Sequence, residues 1–281
     1  MIMTQTLIIL AAGASSRMKK SLADSQQSGL MVSNKALIAL GSDKTPALDF
    51  LLHNAHGAGF KNVILVVAPE GLAFKERYGL AERGNSYKGL SIAYAYQHIP
   101  EGHVKPLGTA DALLQTLKQH PDVAANEFVL CNADNLYSVT ALERLRLCSA
   151  PNAMMSYARN ALLFPIAKIR AFALLVVNAK QQLIQLEEKP DQQTTRDIEQ
   201  RMGKLLVSMN LWKFNGPNIM QALERCPLHP TRQEKELPVA VQLMISDLNH
   251  AVHTLEIAEH VPDLTTAEDI ALVEKQLGLN P

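Results

Sequence analysis

The sequence predicts an α/β fold in which helices cover both faces of a mixed, mostly parallel central sheet. Over the first half of the chain, short apolar runs bounded by turn residues alternate with segments of helical spacing, a pattern typical of consecutive βα units. In the middle, strand-like runs at 171–178 and 182–187 are joined by a short polar turn, which indicates a hairpin. No repeat or linker interrupts the pattern, so we expect one Rossmann-like, three-layer α/β/α domain over residues 1–281.

Each element is predicted from its local pattern. Apolar or alternating runs that end at turn residues predict strands at 7–10, 63–68, 91–96, 128–131, 153–158, 205–214 and 251–257. Helical spacing predicts helices at 47–55, 109–120, 139–147, 218–225 and 235–245, and a last one near the end. Thr109 and Thr266 are expected to cap the helices that follow them, because a hydroxyl can accept from a free N–H group. Residues 74–87 and 191–204 show no apolar period and are predicted to be irregular, the second as a loop or lid.

Composition argues against several other classes of protein. The 281 residues are 47% hydrophobic, enough for a large buried core. Basic and acidic residues both number 27, so the balanced charge gives no reason to expect a nucleic-acid or membrane partner. Three widely spaced cysteines fit neither a disulfide framework nor a CxxC metal site, which favours a reducing compartment. Without a signal-peptide pattern or an apolar run of transmembrane length, the chain is predicted to be cytoplasmic, and a homo-oligomer stays open.

A phosphate-binding loop is predicted after the first strand. The apolar run 7–10 is typical of a buried parallel strand, and it ends in small residues that let another molecule approach the backbone. Hydroxyls and a guanidinium follow at the carboxyl end of the strand, where open α/β sheets bind ligands. This combination suits a polyphosphate, although glycine and serine alone would fit an ordinary βα turn. The predicted binding residues are Leu10, Ala11, Ala12, Gly13, Ala14, Ser15 and Ser16, followed by Arg17.

The loop is neither a dinucleotide fingerprint nor a P-loop, because it contains a single glycine and no G-x-x-x-x-G-K-[ST]. It resembles the L-A-A-G-x-G/S-x-R-M/L signature of the sugar-phosphate nucleotidyltransferases, the GT-A-like NTP transferases. In that family a lysine follows, usually after proline. Lys35 is the candidate here, although Asn34 replaces the proline and a longer segment separates the lysine from Arg17. We interpret that segment, Lys19 to Val32, as a flexible flap, because it is polar and rich in serine and glutamine.

A second motif resembles the family's nucleobase loop. Leu107-Gly108-Thr109-Ala110 matches the family's L-G-T-A, which closes over the base, and Gln97 matches an upstream glutamine that contacts it. Asp111 stands where glycine or glutamine is commoner, so the base preference stays open. A plain turn and capped helix would explain Gly108 and Thr109 alone.

Two aspartates match the family's Mg²⁺ ligands. Asp134 ends an apolar strand in N-A-D-N, where Ala133 replaces the family's glycine, and carboxylate oxygens suit Mg²⁺. Asp and Asn are also ordinary turn residues, so a turn role stays open. Asp263 resembles the second metal aspartate, with Leu264 inserted before the threonines that normally follow at once.

Two further places resemble the acceptor side of the family. Glu188-Lys189-Pro190 matches an E-K-P at the floor of the sugar pocket, where the glutamate binds hydroxyls and the lysine meets the sugar's phosphate. An exposed charged turn is the simpler alternative. Asn210 interrupts an apolar strand, so if it is buried its amide needs a partner, either a substrate hydroxyl or the backbone.

The resemblance spans Leu7 to Ile270 and implies transfer of a nucleoside monophosphate from an NTP to a phosphorylated acceptor, most simply a sugar 1-phosphate, with release of pyrophosphate. It implies Mg²⁺ as cofactor and Arg17 and Lys35 as the catalytic cations. The nucleotide would occupy about residues 1–138 and the acceptor about 139–281. A nucleotide- or nucleotide-sugar-binding regulatory protein without turnover is the alternative, because the lysine, Ala133 and Leu264 depart from the pattern. A Rossmann oxidoreductase is disfavoured because its glycine fingerprint is missing.

Overall fold

A nine-stranded mixed sheet organises the protein in the computed structural model, which describes residues 4–13, 15–24, 34–80 and 84–279. The strands are β1 (Thr6–Leu10), β2 (Ala39–Leu40), β3 (Thr45–Pro46), β4 (Asn62–Val67), β5 (Ser91–Tyr96), β6 (Glu127–Asn132), β7 (Ala153–Ala158), β8 (Leu174–Val177), β9 (Leu183–Glu187), β10 (Leu206–Asn215) and β11 (His253–Ile257). The large sheet has the order β11-β7-β10-β6-β1-β4-β5, with β8 paired to β10 and β9 to β8, while β2 and β3 form a separate pair.

Most strands of the large sheet point the same way. β10 is antiparallel to β6, β7 and β8, and β9 is antiparallel to β8. The other seven of the nine strands run in one direction, so the carboxyl ends of β1, β6, β7 and β11 lie on one edge. The predicted mixed, mostly parallel sheet is confirmed.

Helices lie on both faces of this sheet. They are α1 (Ser16–Asp24), α2 (Ala47–Gly57), α3 (Leu72–Tyr78), α4 (Thr109–Gln119), α5 (Pro121–Ala124), α6 (Val139–Leu147), α7 (Ile166–Arg170), α8 (Gln192–Met202), α9 (Gly216–Arg225), α10 (Leu237–Ser246) and α11 (Glu268–Gln276), with short 3₁₀ turns at Lys35–Leu37 and Arg159–Ala161. No helix in these ranges has the length and apolar content needed to cross a bilayer.

The core has two halves, one on each face. Leu7 and Ile9 of β1 pack into an apolar cluster to which α2 and α6 contribute, whereas Ile8 packs into a second cluster with α4, α9 and α10. This alternation follows from the two-residue period of a strand. The result is the predicted three-layer α/β/α arrangement.

Two stretches predicted to be irregular contain helices. α3 occupies the start of 74–87, and α8 occupies nearly all of 191–204. α8 buries only Ile198 among its hydrophobic residues, so no apolar period marks it. Its ends are instead set by Asp191, whose Oδ1 accepts from Thr194 N at 2.7 Å, and by Gly203 in the left-handed conformation.

Neither predicted threonine cap is present. α4 begins at Thr109 itself, and the Thr109 hydroxyl accepts from Leu237 N at 3.0 Å. α11 begins at Glu268, and the carboxylate of Asp269 accepts from Thr266 N at 2.7 Å. Thr109 therefore bonds to Leu237 and Thr266 bonds to Asp269, instead of each capping the helix that follows it.

The predicted flap is only partly described. Residues 19–24 are helical, as the continuation of α1. The rest of the flap up to Val32 lies outside the described residues, as does Ala14 of the predicted phosphate loop.

Candidate active site

The predicted phosphate loop lies at the centre of the sheet, at the carboxyl end of β1. Ala11 N donates to Val66 O of β4 at 2.8 Å, and Leu10 O accepts from Ala133 N beyond β6 at 3.1 Å. Both neighbouring strands therefore fix where the loop leaves the sheet. Gly13 is exposed, and a Cβ added there would meet no atom within 4 Å. The loop thus has open space beside its backbone, as a bound polyphosphate requires.

Hydrogen bonds bring Lys35 to this loop across the intervening segment. Ser15 has a left-handed backbone with φ of 54°, and its hydroxyl accepts from Lys35 N at 3.0 Å. Asn34 donates from Nδ2 to Ala11 O at 2.5 Å and accepts at Oδ1 from Ala36 N at 2.9 Å. Asn34 replaces the proline of the resembled family, and its side chain holds the two ends of the loop together.

An ion pair joins Lys35 to the first predicted metal aspartate. Lys35 Nζ contacts Asp134 Oδ2, although the two residues are far apart in sequence. Burial raises the pKa of the Asp134 carboxyl above its ordinary value, and the nearby Asp263 carboxylate adds to the rise while the Lys35 ammonium opposes it. The carboxylate is partly buried, and an additional cation nearby would favour its charged form.

The two predicted metal aspartates are brought together by backbone pairing. Leu264 N donates to Asp134 O at 2.9 Å, and Asn135 forms an isolated antiparallel bridge with Asp263. Asn135 Nδ2 also donates to Asp263 Oδ1 at 3.1 Å. The inserted Leu264 is fully buried. Its side chain and its backbone N–H therefore help to hold the Asp263 segment against the Asp134 segment.

The predicted nucleobase residues form a packed turn. Gln97 is buried and donates from Nε2 to Gly108 O at 2.9 Å. Gly108 has a φ of 94°, and a Cβ there would lie 2.7 Å from Lys235 O, so a larger residue would not fit. Asp111 accepts from Gln115 Nε2 at 2.8 Å within α4. Gln97 therefore has protein partners, and its amide lies beneath the turn that carries Gly108.

A cavity of about 410 Å³ joins the predicted nucleotide and acceptor residues. Of the predicted site residues, it is lined by Arg17, Gly108, Thr109, Glu188, Lys189 and Asn210. The other described site residues do not line it; these are Lys35, Asp134, Asp263, Gln97, and Leu10, Ala11, Ala12, Gly13, Ser15 and Ser16 of the phosphate loop. Asn132 does line it, at the end of the strand that leads to Asp134. The cavity therefore reaches Arg17, just after the phosphate loop, and the end of the strand that leads to Asp134.

Two acceptor-side residues have left-handed backbones. Asn210 has a φ of 56° and lies where the pairing of β10 with β7 shifts register, between Ser208 and Trp212. Lys189 has a φ of 48°. Asparagine adopts this conformation more readily than most residues, because its short polar side chain can hydrogen-bond locally. The bulge explains how a polar residue inside an apolar strand comes to line the cavity.

The sequence of the chain matches a known enzyme family over nearly its whole length. The family model described as nucleotidyl transferase matches residues 6–275. The chain belongs to this family. Among solved structures, the transferase resembles the crystal structure of UDP-glucose pyrophosphorylase complexed with UDP-glucose, with a TM-score of 0.70, 13% identity, and coverage of 98% of this chain and 99% of that one. No curated protein matches the sequence.

Family membership confirms the resemblance to sugar-phosphate nucleotidyltransferases and the prediction of a nucleotidyltransferase enzyme. The structural likeness, at so low an identity, confirms the fold. The roles of individual residues in this transferase stay predictions.

Sequence reasoning missed Lys168, which contacts the second predicted metal aspartate. Its Nζ lies 2.8 Å from Asp263 Oδ2 and 3.1 Å from Asp269 Oδ1. The ammonium also lies 4.7 Å from the centre of the Phe164 ring. Lys168 is on α7, a five-residue helix that no local pattern had predicted, so nothing in the sequence placed this lysine in the site of the transferase.

Sequence reasoning also missed Tyr137, a buried residue between the aspartate pair and the bulge. Its hydroxyl is 2.6 Å from Met209 O and 3.3 Å from Asn210 O, and it lies 3.3 Å from Asn135 Oδ1. Burial raises the pKa of the Tyr137 hydroxyl well above its ordinary value, so the group stays protonated and can donate. Tyr137 thereby connects the two halves of the site in the transferase.

Proposed function

We propose that this chain catalyses Mg²⁺-dependent transfer of a nucleoside monophosphate from an NTP to a phosphorylated acceptor, most simply a sugar 1-phosphate, and releases pyrophosphate. The observation that carries this proposal is the 410 Å³ cavity, which is lined by Arg17 next to the phosphate loop and by residues of the nucleobase turn and the acceptor side. A cavity shared by these three groups suits a reaction between two bound substrates.

The acceptor needs little activation in this reaction. A phosphate oxygen is already anionic, so it can attack the α-phosphorus of the NTP without a general base. The reaction then depends on aligning the two substrates and neutralising charge as pyrophosphate leaves. Arg17, exposed at the rim of the cavity, and Lys35, held at the loop through Ser15, are the cations proposed for this task.

The residues present fit a divalent cation. Asp134 and Asp263 come from distant segments, meet through backbone pairing, and each contacts a lysine ammonium. The described residues contain no group of three or more His, Cys, Asp and Glu side chains placed as ligands, so substrate phosphates and water would complete the coordination, as is usual for Mg²⁺. When bound, Mg²⁺ would supply positive charge to the triphosphate.

The acceptor side supports a sugar phosphate. Glu188 can accept from hydroxyl groups, and Lys189 can pair with a phosphate, both at the wall of the cavity. The structural neighbour carries a nucleotide sugar, UDP-glucose, which agrees with such an acceptor. We propose that about residues 1–138 bind the nucleotide and about 139–281 bind the acceptor, within one domain.

Two of the three sequence arguments for the regulatory alternative, those from Lys35 and Leu264, are weaker in the folded chain. Lys35 is displaced in sequence but reaches Asp134, and the inserted Leu264 supports the aspartate pair. A screen of nucleoside triphosphates against sugar 1-phosphates and alcohol phosphates, read by pyrophosphate release with and without Mg²⁺, tests the proposal. Saturable nucleotide binding without pyrophosphate release would favour the regulatory protein instead.

A further inference from the structure

We propose that a second cavity, next to the candidate active site, binds a small organic molecule that carries a phosphate or a similar dianionic group. The cavity has a volume of about 840 Å³. It lies where β7 and β11 end and β10 begins, which is the edge of the sheet that also carries the phosphate loop. This is the edge at which open α/β sheets bind ligands.

Basic side chains line this cavity in excess of free carboxylates. The basic groups are Arg159, Arg170, Arg196 and Lys204, and the acidic groups are Asp191, Glu199 and Glu256. Asp191 caps α8, and Glu256 forms an ion pair with Lys204. The lining therefore carries one more basic than acidic group, and Glu199 is the lining carboxylate whose charge acts on Arg159.

Two of these arginines have no close protein partner. Within the described ranges, the side chains of Arg159 and Arg170 take part in no hydrogen bond and in no ion pair shorter than 4.0 Å. Arg159 is half-buried, and burial lowers the pKa of its guanidinium; the Glu199 charge opposes this effect and the Arg170 charge adds to it. A partly desolvated guanidinium beside a like charge is stabilised by an anion, which can accept charge-assisted hydrogen bonds from both.

The other walls are suited to a carbon skeleton. Ile166 and Ile169 of α7 face the cavity, and Leu205, Leu206 and Ala158 contribute the ends of two strands. A mostly apolar surface with a few convergent charged groups is typical of a site for an organic ligand. Inorganic phosphate alone would leave these side chains uncovered.

The two cavities share a wall. Arg170 lines the second cavity and its neighbour Ala171 lines the first, and the same is true of Pro190 and Lys189. A ligand here is therefore either a separate effector that shifts the acceptor-binding residues or the far end of a long acceptor. The binding inference stands without the proposed function, whereas the coupling to catalysis rests on it.

Phenyl phosphate is a suitable probe, because it joins a phosphate dianion to an apolar ring and is not a sugar. Its affinity is measured by calorimetry for the wild type, for the double variant Arg159→Met/Arg170→Met, and for the control Arg201→Met/Arg225→Met. The control removes the same charge from two exposed helix positions outside this cavity. Far-UV circular dichroism checks that each variant is folded.

We expect the cavity variant to weaken phenyl phosphate binding at least about tenfold, since two charge-assisted hydrogen bonds are lost. The control should stay within about twofold of the wild type. Equal affinities in all three proteins, or equal weakening in both variants, would overturn the proposal, because the probe would then bind elsewhere or respond only to net charge.

Kinetics then distinguish the two sources of the ligand. If the cavity holds the far end of the acceptor, the cavity variant raises the acceptor KM in the absence of phenyl phosphate. If it holds an effector, that KM is unchanged, and phenyl phosphate alters the rate of the wild type but not of the variant. Absence of any turnover would count against the proposed function and leave the binding result standing.

Discussion

The ammonium group of Lys168 lies 2.8 Å from Oδ2 of Asp263, so a lysine that the sequence did not single out contacts one of the two aspartates of the site. The other aspartate, Asp134, contacts Lys35 in the same way. Each carboxylate thus has one lysine as a counter-ion. Since Lys168 also reaches Asp269, it links the start of α11 to the site.

Lys168→Met should destabilise the protein by about 1–3 kcal/mol, because two largely buried carboxylates lose the donor that they share. Lys204→Met is the matched control. It breaks an ion pair with Glu256 that is much more exposed, so its cost should stay below about 1 kcal/mol. Urea unfolding at neutral pH measures both, and similar costs for the two variants would show that Lys168 is no more than a surface charge.

Asp134→Asn should abolish turnover while leaving the fold intact. Asparagine keeps the shape of the side chain, and the backbone oxygen that accepts from Leu264 N is unchanged, but the charge that would hold Mg²⁺ is lost. We expect a fall in kcat of at least about a hundredfold. Asp122→Asn, outside the site on α5, should have wild-type activity, and a fully active Asp134→Asn enzyme would exclude the metal assignment.

Arg17→Ala and Lys35→Ala should each lower kcat more than they change the acceptor KM, because the lost contacts act on charge that grows in the transition state. Lys19→Ala and Lys20→Ala serve as controls, since both lysines are exposed on the helix that carries Arg17. Steady-state kinetics decide the case. If Lys35→Ala kept the wild-type kcat while Lys19→Ala or Lys20→Ala lost most of it, the catalytic lysine would be one of those two and not Lys35.

Tyr137→Phe should cost about 1–3 kcal/mol of stability and raise the acceptor KM, because Met209 O loses its donor and the bulge at Asn210 is held less firmly. Tyr157→Phe is a close control. Its hydroxyl is also buried but has no hydrogen-bond partner among the described residues, so its removal should be neutral or slightly stabilising. If both variants changed the acceptor KM equally, Tyr137 would have no specific role in positioning the acceptor site.

Asp49 should make stability depend on acid pH. Burial raises the pKa of Asp49, but hydrogen bonds from Arg77, Tyr87 and Tyr78 outweigh this effect, so its pKa in the folded protein lies below the ordinary value of 3.8. A lowered pKa in the folded state gives stability that is present above the unfolded-state pKa and is lost as pH falls through the folded-state value. Asp49→Asn should therefore be less stable than the wild type at neutral pH, with a smaller gap below about pH 4. Thermal melts of both proteins from pH 2.5 to 7 measure this difference in stability. A difference that stayed constant over the whole range would contradict the prediction.

The elements that local pattern could predict are those that bury an apolar face. β1, β4 and β6 are continuous apolar runs, and α2 has apolar residues at helical spacing, so each was found from its own residues. α8 is polar on nearly all sides and was missed, although Asp191 and Gly203 mark its ends.

The sequence could predict those site residues that lie directly after a strand. Gly13 and Asp134 each come just after a central strand, so their placement on one edge follows from parallel topology. The contact of Lys168 with Asp263 and that of Tyr137 with Met209 depend on how distant segments pack, which no local pattern contains.

The most direct test of nucleotidyl transfer is ³¹P NMR of the purified protein with Mg²⁺, a sugar 1-phosphate and each nucleoside triphosphate in turn. The account predicts that at least one triphosphate gives a diphosphate-linked product and pyrophosphate in equal amounts, and that Asp134→Asn gives neither. Unchanged substrates with every triphosphate, or release of inorganic phosphate without the diphosphate-linked product, would contradict it.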